Sequence, residues 1–279
     1  MKRSFALALV AVWMAWGLVS CGSYSNKPGS SGLTERVLAS QGVTSTSTFG
    51  GLVFVNGSND TLARVGEISV GSSPGLMAIS PTRNTVAAFD AASNGVVAAS
   101  TVAESSIGRV QLSGSTSSFV IPSAALTGYA AVPTATVTGY SFTGAVEAMN
   151  FSAGSVTTTI AVANAQTVLA NSTGSQLLVF SSNSSVTSDY VTVLNPGSAV
   201  PPVDTSCLTP PNQVCTVVHG FDQPVYAVIN GNTAYVLNCG PQCNGTQASV
   251  AVLDLGSLTI TATIPVDGAT WALLSGSTL

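Results

Sequence analysis

The chain has 279 residues, 46% of them hydrophobic and only 6% charged, with a formal net charge of −4. That length allows a large buried core, and so apolar a composition excludes an intrinsically disordered chain. The 7 Lys and Arg residues form no cluster along the sequence, which excludes a nucleic-acid surface, where grouped cations must follow a phosphate backbone.

In chain order, Lys2 and Arg3 precede an apolar run at residues 5–19. A membrane span needs ~20 residues, so this run suits the hydrophobic region of a signal peptide. It ends in Leu18, Val19, Ser20 and Cys21. These four positions resemble the lipobox of bacterial lipoproteins, in which small residues precede a Cys that is lipidated and becomes the new N-terminus. The resemblance implies a signal peptide at residues 1–20, lipidation of Cys21 and export to the bacterial cell envelope, on its periplasmic or outer face. The membrane would then be a partner through the acyl chains, each buried CH₂ contributing ~0.8 kcal/mol. An ordinary signal peptide with an incidental Cys is the plainer alternative. Cleavage before Cys21 would take the formal charge from −4 to −6 and leave Lys27 as the only lysine. Residues 21–34 are rich in Ser and Gly, lack apolar periodicity and read as a flexible tether.

From residue 35 the pattern repeats. Residues 249–268 (SVAVLDLGSLTITATIPVDG) read as a β-hairpin turning at residues 254–257. Strict alternation places Leu258, Ile260, Ala262, Ile264 and Val266 on one face, with Thr259, Thr261 and Thr263 on the other. Looser copies lie at residues 52–71 and 145–164, and weaker strand ends at 110–114 and 217–220. If Ile68, Val110, Ile160, Val217 and Ile264 are equivalent, the repeat steps are 42, 50, 57 and 47 residues. Further strands are expected at 75–81, 85–91, 225–230 and 234–238. Four strands per step of this size is the period of a β-propeller blade.

Val70-Gly71, Pro74, Ala78 and Ser80-Pro81, then Tyr235–Asn238, then Thr261, Thr263, Ile264, Pro265 and Val266 occur in the order of one repeat unit. This order resembles the YVTN-type propeller repeat of bacterial surface proteins, across residues 36–279. The resemblance implies an all-β propeller of about five four-stranded antiparallel blades over residues 35–279. The module entered at residues 36–41 reads as lacking its inner strand, and residues 270–275 (TWALLS) read as one more inner strand. Pairing of the two would close a five-bladed ring. The alternative, which this reading favours, is an incomplete ring in a truncated chain.

The remaining cysteines fall in two close pairs, Cys207 with Cys215 and Cys239 with Cys243. In an exported chain two local disulfides are expected. Four thiolates around a metal is the alternative, but these spacings depart from the usual pairs of metal-ligating cysteines. His219 is the single histidine, with no positioned nucleophile in the sequence to serve, and reads as structural. Asp60, Asp90, Glu104, Glu147, Asp189, Asp204, Asp222 and Asp254 are scattered singly, several at turns and strand ends where Asp bonds nearby backbone N–H groups. No catalytic residue, metal or cofactor is therefore expected. The expected function is a membrane-anchored binding or scaffold module without catalysis, with a protein or carbohydrate ligand. The alternative is a propeller enzyme of lactonase or quinoprotein-dehydrogenase type with its site in the central channel, an expectation from fold analogy alone.

Overall fold

The computed structural model describes residues 32–33, 35–62, 67–122, 126–183, 186–196 and 215–274. Cys21, the signal segment, Asp204 and Cys207 lie outside the described residues. The first sheet holds β1 (Arg36–Gln41), β2 (Gly51–Asn56), β3 (Thr61–Leu62) and β4 (Ile68–Ser69). The second holds β5 (Pro74–Ile79), β6 (Thr85–Asp90), β7 (Gly95–Ser100) and β8 (Ser105–Gln111). The third holds β9 (Ser118–Val120), β10 (Thr127–Thr136), β11 (Thr143–Asn150) and β12 (Ser155–Ala161). The fourth holds β13 (Thr167–Ala170), β14 (Leu177–Phe180), β15 (Tyr190–Leu194) and β16 (Cys215–His219). The fifth holds β17 (Pro224–Asn230), β18 (Thr233–Asn238), β19 (Ser249–Asp254) and β20 (Thr259–Pro265). All five sheets are antiparallel, and sheets 2 to 5 are meanders running from an inner to an outer strand. The residues chosen as repeat equivalents, Ile68, Val110, Ile160, Val217 and Ile264, all fall on outer strands: β4, β8, β12, β16 and β20.

The sheets stack in chain order, each touching the next. β5 packs beside β9, β9 beside β13 and β13 beside β17, while the outer strands β4, β8 and β12 meet in turn. Alternate residues of a strand point to opposite faces, so a sheet between two others needs apolar residues on both. Sheet 4 meets this with the continuous run LLVF in β14. Leu178 and Phe180, with Val191 and Val193, face Ala227, Ala234, Val236 and Leu253 of sheet 5. Leu177, Val179 and Leu194 face Val146 and Ile160 of sheet 3. Each such fully buried side chain contributes ~1.5–3 kcal/mol over the exposed chain.

A local device recurs at the outer edge of the blades. Four-residue turns at 57–60, 101–104, 151–154 and 255–258 join the last two strands of sheets 1, 2, 3 and 5. The last turn residue is left-handed in every case: Asp60, Glu104, Gly154 and Leu258, with φ between 53° and 67°. Two residues into each of the full outer strands β8, β12 and β20 the ladder then slips by one residue, at Ile107, Thr157 and Thr261. Thr157 and Thr261 donate their hydroxyls back across the bulge to the carbonyls of Ala148 and Val252, both at 3.2 Å.

That bulge corrects the strict alternation expected for residues 258–266. Ile260 pairs with Leu253 and packs towards sheet 4, whereas Ile264 pairs with Val250 on the opposite face and is 53% exposed. A bulge reverses the facing of every residue beyond it.

Sheet 1 differs from the others. β3 and β4 both pair with β2, one towards each of its ends, and among the described residues β1 pairs only with β2. The turn at residues 57–60 identifies β2 as a third strand, and hence β1 as a second strand. The inner position of sheet 1 is therefore unfilled among the described residues, as the sequence led us to expect. Residues 270–274 form no strand and do not pair with β1; Ala272 packs beside Tyr226, Tyr235 and Leu237 on sheet 5. No closed ring forms among the described residues.

Candidate functional site

The inner strands lie side by side, and a hollow opens where three of them end. A cavity of about 360 Å³ is bounded by Ala78 to Pro81 at the end of β5, Val120 to Pro122 at the end of β9 and Leu169 to Ser172 at the end of β13. β5 alternates half-buried and exposed residues, so Met77 and Ile79 point off the sheet edge and Ile79 remains 52% exposed. Pro81 and Pro122 end their strands and give the wall a rigid, apolar lip. A second hollow of about 190 Å³ shares Leu169 and Ala170 and continues along β17, over Tyr226 and Ile229, to Leu273.

The Ser80 and Asn171 side chains of this wall bond within their own turns. The Ser80 hydroxyl accepts the Thr85 N–H at 3.1 Å. Asn171 accepts the Gln176 N–H at 3.2 Å and donates to the Ser175 hydroxyl at 3.0 Å. The Arg83 carbonyl accepts the Thr101 hydroxyl at 2.6 Å, and Arg83 is the one ionisable residue among the described residues lining this cavity. The hollow can thus hold an apolar group, with amide and hydroxyl chemistry and one guanidinium at its margin.

The acids singled out in the sequence lie elsewhere, and the structure assigns them local work. Asp90, at the end of β6, accepts the Ser73 N–H at 2.8 Å and the Ser93 hydroxyl, with Arg109 at 3.8 Å. Burial pushes its carboxyl up, but these hydrogen bonds and Arg109 outweigh burial and hold it below the ordinary value. Asp222 accepts N–H groups from Thr246 and Gln247 at 2.8 and 2.7 Å; these bonds likewise overcome burial and lower its pKa. Asp254 caps its turn by accepting the Ser257 and Gly256 N–H groups, which lower its pKa. Glu147, buried in β11, accepts the Ser113 N–H at 3.2 Å. Glu104 is fully buried and pairs with Arg36 at 2.9 Å, tying sheet 1 to sheet 2.

His219 ends β16 on the outer rim, 3.3 Å from Asp189, both side chains well exposed and remote from the inner strands. Cys239 and Cys243 form a disulfide with Cα atoms 5.6 Å apart, across a short 3₁₀ turn in the β18–β19 loop. Cys215 is also disulfide-bonded, while Cys207 lies outside the described residues. Among the described residues no three His, Cys, Asp or Glu side chains gather as a metal site. The structure therefore keeps the sequence candidates apart and instead marks the ends of β5, β9 and β13. Sequence reading missed that hollow because its residues are Ala, Ile, Pro and Leu, which carry no chemical signature. The strand-ending Ser80-Pro81 of the repeat was the available signal.

No protein-family model matches the sequence, and no curated protein matches it. Solved structures resemble its fold. Hydrazine synthase of Kuenenia stuttgartiensis superposes with a TM-score of 0.52 at 15% identity, over 78% of this chain and 61% of that one. A functionally unknown protein from Desulfotomaculum acetoxidans gives 0.56 at 15% identity, over 78% and 63%. The dihydro-heme d1 dehydrogenase NirN, in complex with DHE, gives 0.55 at 10% identity, over 84% and 45%. These likenesses are to β-propeller-type folds, and the chain spans less than two thirds of each protein.

Proposed function

We propose that the protein is a recognition module of the bacterial cell envelope, exported, lipidated at Cys21 and held to the membrane by its acyl chains. Its five sheets would be a rigid scaffold for a binding surface on the inner strands. The observation that carries this reading is the apolar hollow of about 360 Å³ at the ends of β5, β9 and β13. Concave, mostly apolar sites with a few polar groups at the margin suit ligand capture. The ligand would be an apolar side chain of a protein partner, or the apolar face of a sugar, with Asn171 and Ser172 at its polar side.

Binding of the full chain to arrayed peptides and glycans tests this. Ile79→Asp, at an exposed wall position, should weaken capture at least about tenfold by placing a charge against an apolar group. Equal capture by both proteins would remove the hollow from the function. Mass spectrometry of membrane-extracted protein should find diacylglyceryl on Cys21; an unlipidated mature chain starting elsewhere would refute the anchor. A second reading, an enzyme with its site on the same inner strands, is favoured by fold likeness to hydrazine synthase and to NirN. It predicts turnover of a lactone, or of a reduced substrate with an added redox cofactor, that Ile79→Asp diminishes.

A further inference from the structure

Four Asn-Gly pairs occur in the chain: Asn56-Gly57, Asn94-Gly95, Asn230-Gly231 and Asn244-Gly245. Such a pair carries a reaction of its own. The backbone nitrogen of the glycine can attack the side-chain carbonyl carbon of the asparagine, since no Cβ on the glycine obstructs the approach. A hydrogen bond donated by that N–H holds the nitrogen back. All four pairs lie at turns, but the fold treats them differently.

Three of the four are guarded. The Gly57 N–H donates to the Glu35 carbonyl at 2.9 Å, and the Asn56 side-chain oxygen accepts the Ser58 N–H at 3.0 Å. The Gly245 N–H donates to the Gly240 carbonyl at 2.8 Å, in the loop braced by the Cys239–Cys243 disulfide. Gly95 is buried and laddered to Asp90 on one side and Gln111 on the other, with the Arg109 guanidinium packed over it. The fourth pair sits in the open. Asn230 ends β17 and pairs with Thr233 of β18 across a loop of two residues. Gly231 is left-handed at φ 57° and Asn232 is not, as a type II′ hairpin turn requires. The hydrogen bond that closes such a turn uses the N–H of Thr233, which leaves the Gly231 N–H facing water. Asn230 and Gly231 are both exposed, and a Cβ built on Gly231 would meet nothing within 4 Å.

We infer that Asn230 is a modification site, deamidated by the chain's own Gly231 nitrogen. That nitrogen forms a bond to the Asn230 side-chain carbonyl carbon. The bond from this carbon to the side-chain nitrogen breaks, and ammonia leaves with the proton that Gly231 gives up. The product is a five-membered succinimide. Water then opens the ring at either carbonyl, giving aspartate or isoaspartate at position 230. Both products carry a new carboxylate, one residue beyond Ile229 of the smaller hollow. Isoaspartate also adds a methylene to the main chain at the last pair of the β17–β18 ladder.

Incubation of the folded full chain in mildly alkaline buffer, with peptide mapping over time, tests this. The Asn230 peptide should convert, to aspartate and isoaspartate together, at least about tenfold faster than the Asn56, Asn94 and Asn244 peptides, whose glycine N–H groups come free only when their turns open. In urea with reductant the four should convert at similar rates, because unfolding leaves each as the same Asn-Gly pair. Asn230→Gln, whose longer side chain closes the ring poorly, should abolish most of the early release of ammonia by the folded protein. Conversion of any of the other three at the Asn230 rate in the folded chain would overturn the proposal. So would an Asn230 that stays intact there while converting in urea, or undiminished ammonia release from Asn230→Gln.

Discussion

Asp90 shows how a lone acid in this chain acts on the backbone. It ends β6 and fastens the segment between β4 and β5 through the Ser73 N–H. Asn238, at the end of β18, does the same for the segment between β16 and β17 through the Asp222 N–H, at 3.3 Å. The close fit explains Gly71: at φ 155° a Cβ there would meet an Asp90 carboxylate oxygen at 2.0 Å. With their folded pKa values lowered, Asp90 and Asp222 contribute stability that is fully present above the unfolded carboxyl pKa of about 3.9. That stability is lost as pH falls through the lowered folded values. Urea midpoints should therefore hold steady from about pH 7 to about pH 5 and fall below about pH 4. In Asp90→Asn the midpoint should be lower at neutral pH and the acid fall shallower. An acid fall as steep in the variant as in the wild type would show that Asp90 is not among the groups responsible.

At the scale of elements, legibility in the sequence followed chemistry that repeats. The outer strands were readable because Ile68, Ile160 and Ile264 share a register with a polar turn ahead of them, as Asn150 and Asp254 show. The bulge was not readable, because Thr157 and Thr261 look like ordinary strand threonines until the hydroxyl bond across the slip is seen. β10 was also hard to read, since Pro133 lies where its ladder with β11 is interrupted, between Val132 and Thr136. The hollow at the inner-strand ends depends on three sheets meeting, which no local pattern encodes. The β18–β19 loop is the element that most needs a covalent brace: its ten residues, 239–248, hold only one short 3₁₀ turn. Asp222 and the Cys239–Cys243 disulfide hold that loop together. Replacing both cysteines by Ser should cost about 2 kcal/mol, the entropy of a short cross-linked loop. Thermal unfolding compared with and without reductant checks this. The double variant should match the reduced wild type at this loop, provided that the Cys215 disulfide is left oxidised.

For the whole molecule, the decisive fact is that each sheet leans mainly on its neighbours in sequence. Stability in such a stack approximates a sum of sheet terms and nearest-neighbour interfaces, as in repeat proteins. Sheets 2, 3 and 4 have interfaces on both faces: sheet 3 turns Ala130 and Val132 to sheet 2 and Val146 and Ile160 to sheet 4, and sheet 4 turns Leu177 and Val179 to sheet 3 and Phe180, Val191 and Val193 to sheet 5. Among the described residues sheet 1 has a single interface, through Leu52, Phe54 and Ile68, and no β1 residue is fully buried. Among the described residues β1 is laddered on one side only, the condition under which local opening costs least. Native-state hydrogen exchange should therefore find the slowest amides in β11, β14 and β15, and the fastest strand amides in β1 and β3. Uniform protection across all five sheets in dilute solution would mean that the stack opens as one unit, and the nearest-neighbour account would fail.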